Sequence, residues 1–440
     1  MAEQMKPSGI DWIGDIPNEW DIKRIKYLAQ LKGRIGWQGL TSDEYTDVGP
    51  FLITGVDFSN GGINWENCVH ITEERWAEAP EIHIKNGDLL ITKDGTVGKV
   101  AIVENLQEKA SLNSGVLLIK TSNGYNKKFL YWALLSEEFW TWFRLKNAGN
   151  STIVHLYQND FAEFSYTFPN AAEQKAIADY LDQECAQIDS IAADLEKQIE
   201  LLQQYKKSLI TETVTKGLDK TVPMKDSGVE WLGKIPEHWD VEPIKYRVTF
   251  HNGDRGENYP SKSELQSEGI PFINAGHLEG DGLNMDNMDY ISEEKYRIMG
   301  GVKLRSGDIL YCLRGSVGKN AIVDMNQGTV ASSLVAIRSV RISAKYLYYC
   351  LNSHIEEVQR YLWDNGTAQP NLSADNLGKY KICIPPVEEQ MTIVEYLNNI
   401  CSQIDNLIIG KRKQLSTIQQ HKKSLIYEYV TGKKRVKEVR

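Results

Sequence analysis

One phrase occurs twice in this chain, and that duplication limits the fold more than any other feature. Met5 to Leu28 reads MKPSGIDWIGDIPNEWDIKRIKYL, and about 220 residues later Met224 to Arg247 reads MKDSGVEWLGKIPEHWDVEPIKYR, with the Trp, Gly and Pro skeleton kept. A second phrase repeats as well: Glu173 to Thr215 matches Glu389 to Thr431 at about half its positions, and QQYKKSLI at Gln203 returns as QQHKKSLI at Gln419. The 440 residues are therefore one module used twice, and two like modules imply a ligand with two like sites.

Each copy opens with a mixed segment and closes with a long helical one. In the first helical segment Leu181, Ile188, Leu195, Leu202 and Leu209 recur every seven residues, with Ile177, Ile191 and Tyr205 filling the intervening seam. No proline interrupts the chain from Asn170 to Val222. In the second, Ile393, Leu397, Ile400, Ile404, Leu407, Ile418 and Leu425 form the same stripe, broken at Lys411. A stripe of this period is a coiled-coil seam, so the two helices are expected to pair with each other. With a globular segment between them they must run antiparallel, and about 40 residues at 1.5 Å each make a spacer of about 60 Å with a globular unit at either end. Gln198 and Gln414 fall at matching positions, either on the seam, where a polar pair fixes register, or at a solvated edge. Gly217 and Gly432 read as the C-terminal glycines of the two helices, with Lys216 near the negative end of the first helix dipole.

The fold expected is α/β (α+β) in each of two tandem globular domains, each followed by a long helix, the two helices forming an antiparallel coiled coil. The boundaries are residues 1–172 for the first domain, 173–217 for its helix, 218–223 for a linker, 224–387 for the second domain, 388–432 for its helix and 433–440 for a basic tail. Within the domains, PFLITGV at Pro50 aligns with PFINAGH at Pro271. GDLLITKDGTVGKVAIV at Gly87 likewise aligns with GDILYCLRGSVGKNAIV at Gly307, each a strand, a glycine turn and a strand. Thr72 and Ser292, each followed by acids, read as helix N-caps. Phe129 to Ser136 and Tyr346 to Ser353 read as amphipathic helices whose aromatic side chains belong to the core.

Composition excludes several classes. No stretch approaches the roughly 20 apolar residues of a membrane span and the N-terminus lacks an apolar signal segment, so the expected location is cytoplasmic. The six cysteines form no CxxC pair, and Cys185 and Cys401, at equivalent positions in apolar stripes, read as small core residues. The net charge of −9 does not favour nucleic acid, but its distribution is uneven. From Glu388 onward there are ten Lys and Arg against six Asp and Glu, whereas Glu173 to Gly217 holds five against nine. An acidic and a basic helix attract, and any contact with DNA must come from local basic spots.

The sequence contains no complete catalytic constellation. GTVGK at Gly95 and GSVGK at Gly315 resemble half a phosphate loop, but Val100 and Asn320 stand where the magnesium-binding Ser or Thr belongs. The turn still brings backbone N–H groups and a lysine together, and the repetition of Lys99 as Lys319 points to a shared role in either phosphate contact or simple turn formation. A nuclease reading of Asp88 with Lys93 fails because Leu313 occupies the second copy's lysine position. The eight histidines show no metal-ligand spacing, and neither an amino-methylation motif nor a nucleotide-binding strand, turn and helix is present.

With MKxSGxxWxGxIPxxW, GD(I/L)LxxxxGxVGK and a terminal PPxEEQxxIxxYL…QIDxL…KKSLI in hand, the chain resembles the DNA-specificity subunit of a type I restriction-modification system over nearly its whole length. The resemblance implies two target-recognition domains, each reading one half of a bipartite site in double-stranded DNA, with antiparallel helices setting the gap. It implies a non-catalytic subunit that joins two methyltransferase subunits and ATP-driven restriction and translocase subunits. S-adenosylmethionine, ATP and magnesium then belong to those partners, with no cofactor on this chain. One departure stands out: the segment before the second helix reads NGTAQPNLS at Asn365, close to the family form, whereas the first copy has GNSTIVHLY at Gly149. The two halves are thus expected to read different sequences.

The residues expected at the DNA are polar or basic side chains at turn tips. They are Arg34, Gln38, Lys93, Lys99, Thr152 and His155 in the first copy, with Arg255, His277, Arg314, Lys319, Thr367, Gln369 and Asn371 in the second. Arg and Lys suit guanine edges or phosphates, and Gln and Asn suit adenine. Lys206, Lys207, Lys422 and Lys423, in the near-identical QQxKKSLI segments, are the expected partner contacts. The rival reading is a two-headed coiled-coil scaffold that binds proteins rather than DNA.

Overall fold

The computed structural model describes residues 4–34, 40–122, 124–148, 154–363 and 371–436. It divides into two units: residues 1–195 with 413–440, and residues 196–412. The division cuts through both long helices, Ala171–Lys216 and Val387–Val430, so each unit holds the start of one helix and the end of the other.

In the first unit a four-stranded antiparallel sheet runs in the order Val100–Ile102, Leu89–Thr92, Val116–Thr121, Ala29–Gly33. Its central strands are apolar without alternation because both faces are covered. Leu89, Ile91, Leu117 and Ile119 face the main core, while Leu90, Val116 and Leu118 face a second cluster with Ile53, Ile82 and Leu112. A three-stranded sheet joins Thr46–Ile53 to Ala110–Leu112 in parallel and to Val69–His70 antiparallel. The second unit repeats this plan. Val248–Asn252, Leu334–Ser339, Ile309–Cys312 and Asn320–Ile322 form its four-stranded sheet, and residues 309, 311, 335 and 337 face one cluster while 310, 312, 334 and 336 face the other. Thr72 and Ser292 do cap short helices, accepting from the backbone N–H of Arg75 and Lys295.

The repeated Trp and Glu-Glu-Gln phrases anchor the helices. Trp20 Nε1 donates to Glu173 Oε2 at 3.0 Å, and Trp239 Nε1 donates to Glu389 Oε2 at 2.8 Å; both rings are fully buried. Gln174 and Gln390, also buried, each accept a backbone N–H at 2.9 Å, from Asn126 and Ser343, and donate to a proline carbonyl at the strand end. Each tryptophan also receives the end of a helix. Gly217 and Gly432 terminate the helices at φ +70° and +71°, and a Cβ on either would lie 3.1 or 3.2 Å from Trp239 or Trp20. Glycine is needed there for backbone conformation and for close approach alike.

Within each unit the helix segments run antiparallel. In the first, Asp189 pairs with Lys422 at 2.6 Å and the Tyr180 ring packs on Tyr429, so numbers rise along one helix as they fall along the other. In the second, Lys206 pairs with Asp405 at 2.7 Å and Lys411 with Gln198. The two ion pairs are one interaction made twice, since Asp189 and Lys206 repeat as Asp405 and Lys422.

The seam is shorter than the heptad count suggests. Leu181, Ile188, Leu195, Leu397, Ile404 and Leu425 are buried as expected, but Leu202, Leu209 and Ile418 are half-buried. Ile191, Tyr205 and Leu407 are 48%, 56% and 56% exposed, so they do not fill a seam at all. Two paired helices leave one flank of each open, and these residues lie there. Gln198 and Gln414 are exposed, which settles them at the solvated edge. All six cysteines are buried and free. No helix of the described residues is long and apolar enough to cross a membrane.

Candidate nucleic-acid interface

In the first unit the strands Leu89–Thr92 and Val100–Ile102 are joined by a turn that uses Gly95 and Gly98 at φ +69° and +83°. A Cβ on Gly98 would come within 2.4 Å of the Trp140 ring, so the turn lies directly on the helix Glu137–Lys146. Thr92 Oγ1 accepts Lys99 N–H at 2.9 Å, Lys93 N–H donates to Gly115 O at 2.8 Å, and Leu156 N–H donates to Lys93 O at 2.9 Å. The chain just before the long helix is thereby pinned to the turn. Beside that bond His155 Nδ1 lies 2.6 Å from Asp94 Oδ1, and Lys93 Nζ lies 3.1 Å from Asp94 Oδ2. Partial burial pushes the Asp94 carboxyl up, but the hydrogen bonds from His155 and Lys93 outweigh it and hold the carboxyl below its ordinary value.

The second unit keeps this frame. Gly315 and Gly318 turn the chain at φ +77° and +93°, Leu313 N–H donates to Ser333 O at 2.8 Å, and Leu372 N–H donates to Leu313 O at 2.9 Å. Arg314 and Asn371 face each other across an isolated antiparallel bridge, at the positions that Asp94 and His155 hold in the first unit. Both Arg314 and Asn371 are exposed.

The structure sorts the expected DNA residues into three groups. Lys93, His155, Arg314 and Asn371 cluster at this frame. Lys99 and Lys319 flank it, and each donates to a backbone carbonyl just beyond the matching strand, Gly55 O at 3.4 Å and Ala275 O at 3.1 Å, so the repeated lysine tethers a neighbouring loop. Arg255, exposed, donates to Ser332 O at 3.3 Å beside the second frame. Arg34 and His277 are corrections. Arg34 is 4% exposed, donates to Leu112 O and Ser111 Oγ, and has its guanidinium pKa lowered by burial; it holds strands together. His277 is 6% exposed and accepts the Asn274 N–H within its own turn. Gln38, Thr152, Thr367 and Gln369 lie outside the described residues.

The expected partner lysines all keep some exposure, three of them within ion pairs. Lys206 and Lys422 are occupied by Asp405 and Asp189, and Lys207 pairs with Glu357. Lys423 is exposed.

Sequence reading missed one basic feature. A groove of about 610 Å³ in the second unit is lined by His251, Arg255, Lys303, Arg305 and Arg338 around a floor of Asn252–Asp254 and Gly300–Val302. Its lining carboxylate is committed, since Asp254 accepts the N–H groups of Gly256 and Gly300 at 2.7 and 2.8 Å, and Arg338 is held by the buried Asp308 through two bonds. Burial lowers the pKa of both His251 and Lys303, and Arg338 is paired with Asp308, which leaves Arg255 and Arg305 as the groove's exposed arginines. Arg255 joins the groove to the frame. In the first unit Lys32, Lys85 and Lys120 stand at the positions of His251, Arg305 and Arg338. The signal was present as repeated basic positions on separate strands, masked by the net acidity of the whole.

Among the described residues no group of three or more His, Cys, Asp or Glu side chains is placed to hold a metal ion.

The family described as Type I restriction modification DNA specificity domain matches this sequence twice, over residues 17–201 and 237–417. The chain belongs to that family. Each unit contains the globular part of one match, so the turn, loop and groove described above lie in a DNA-specificity domain. The type I restriction enzyme MjaVIII specificity subunit of Methanocaldococcus jannaschii is 27% identical across 96% of this chain and 95% of its own length. The EcoBI specificity subunit of Escherichia coli is 24% identical across 98% of this chain and 90% of its own. A solved chain from a study of complex assembly and conformational transition of the type I R-M system superposes with a TM-score of 0.68 at 16% identity, covering 94% of this chain and 98% of that one.

Proposed function

We propose that this chain is the sequence-specific DNA-binding subunit of a type I restriction-modification complex and reads an asymmetric, bipartite duplex site, one half per unit. The observation that carries this reading is a duplicated specificity domain whose two copies keep one backbone frame and place different side chains on it. Two domains with equal tips would read equal half-sites; Asp94 with His155 and Arg314 with Asn371 are not equal.

The chemistry falls to partners. Two methyltransferase subunits bring S-adenosylmethionine for adenine methylation, and restriction subunits bring ATP and magnesium, while this chain contributes recognition and no catalytic group. The complex works in the cytoplasm, where its DNA is. Ile191 and Leu407 support two docking places, because equivalent positions on the two helices both expose a large apolar side chain. In the first unit Lys32, Lys85 and Lys120, and in the second the arginine-lined groove, supply the phosphate contacts that hold each domain on the duplex. The scaffold reading is not favoured, since the family match is to DNA-specificity domains.

Mapping of methylated adenine across the host genome, with this gene intact and deleted, tests the reading. A split, asymmetric motif with a fixed gap should vanish on deletion. An unchanged map would remove the specificity role.

A further inference from the structure

We propose that the base-reading pair of each unit is the pair of side chains facing each other across the bond between turn and pre-helix chain: Asp94 with His155, and Arg314 with Asn371. The inference rests on the specificity reading above and names where in each domain the sequence information lies.

Four observations converge on these positions. The backbone beneath them is shared, with Leu156 N–H on Lys93 O and Leu372 N–H on Leu313 O, both at 2.9 Å. Their side chains change hydrogen-bonding character between copies, Asp94 to Arg314 and His155 to Asn371. Lys99 and Lys319 are identical and make the same backbone contact, so they cannot distinguish two half-sites. Arg34 and His277 are buried inside their domains and cannot reach a base edge.

The chemistry of each pair selects a base. Asp94, whose carboxyl is held below its ordinary pKa by His155 and Lys93, lies 2.6 Å from His155 Nδ1, and a carboxylate can only accept. The Asp94 carboxylate offers acceptors, which suit an exocyclic amino group in the major groove, cytosine N4 or adenine N6, with His155 beside it positioning the carboxylate. In the second unit Arg314 offers paired donors, which suit guanine O6 and N7, and Asn371 offers the donor and acceptor that suit adenine. The first half-site therefore contains a cytosine or adenine whose amino group faces Asp94, and the second contains a guanine under Arg314.

The test is methylated-adenine mapping in cells carrying the intact complex with wild-type, His155→Ala, Arg314→Ala or Asn371→Ala chains. Arg314→Ala should make one guanine of one half-site degenerate while the other half-site and the gap stay fixed, and His155→Ala should do the converse. On purified complex, 7-deazaguanine at that guanine should weaken wild-type binding about 5- to 150-fold and leave the Arg314→Ala complex unaffected. If Arg314→Ala abolishes methylation altogether, Arg314→Gln decides: the position should change from guanine to adenine, and retained guanine overturns the proposal. Unchanged motifs in all variants, or equal loss at every base, also overturn it. A wild-type map with no split motif would instead remove the specificity reading itself.

Discussion

Beneath the same glycine turn, the two units have solved one packing problem in opposite ways. In the first, Gly98 rests on Trp140, within an aromatic group in which Phe139, Trp142, Phe143, Phe161 and Phe164 pack edge and face. In the second, Gly318 rests on Arg360 and Glu356, and Tyr311 donates its hydroxyl to the buried Glu356 carboxylate. The first solution relies on apolar burial; the second needs every member of a polar network satisfied. One frame tolerates both because the sheet, the Trp-to-Glu anchor and the helix ends fix it, leaving the support beneath the turn free to diverge.

The sharpest way to break this comparison is to remove the anchor from one unit at a time. Trp20→Ala and Trp239→Ala each delete a fully buried ring and remove one hydrogen bond to a glutamate that keeps its second partner, Arg435 or His238, at a cost of about 3 to 5 kcal/mol. Native-state hydrogen exchange should show lost protection confined to the unit that carries the substitution. Equal loss in both units would mean that they do not hold their frames independently.

Glu138 gives the next largest effect and exists in the first unit alone, the second having Ile355 at that position. It is fully buried, one oxygen accepts Thr167 N–H at 3.2 Å, and burial pushes its pKa up to about 8. A carboxyl whose folded pKa is raised binds more protons folded than unfolded. Stability is therefore lost as pH climbs from the ordinary carboxylate range toward 8, and flattens beyond it. Glu138→Gln should remove that slope, with a gain on the order of a few kcal/mol near pH 8 and little near pH 4. Denaturant melts of both proteins across that range measure it; parallel curves would mean Glu138 titrates normally.

Much of this was legible in the sequence because it is local. The repeat, the two helices, the Thr72 and Ser292 caps and the paired strands around each glycine turn all follow from period and turn chemistry over a few residues. What escaped depends on tertiary placement. Arg34 and His277 look like turn-tip residues, and only the packing of Ser111, Leu112 and Asn274 around them shows that they are interior. Ile191, Tyr205 and Leu407 obey the heptad yet face outward, since a two-helix pair covers less of each helix than the stripe is wide. The basic groove draws on three separated segments, around residues 251–255, 300–305 and 338, which no window along the chain brings together.

That groove sharpens the comparison at the DNA. Arg305→Ala in the second unit and Lys85→Ala in the first should each weaken binding to all sequences alike and reduce the salt slope by about 1, without altering the methylated motif. Titration of the assembled complex with its own site and with a scrambled duplex, at several salt concentrations, reads this directly. A motif change in either variant would move the groove from positioning to base readout.

The smallest expected effect comes from the interaction that the two units share most closely. Lys206 with Asp405 and Lys422 with Asp189 have the same chemistry, nearly the same length and lysines about one quarter exposed, at 28% and 27%. Each joins an acidic helix to a basic one at the solvent edge, where water and salt screen the charges, so each is worth about 0.2 to 1 kcal/mol. Lys206→Met and Lys422→Met should therefore lower the melting transition slightly and equally, and high salt should erase the difference from wild type. Unequal losses would show that one unit depends on its helix pairing more than the other, which is what a core supported by a polar network rather than by packed aromatic rings would produce.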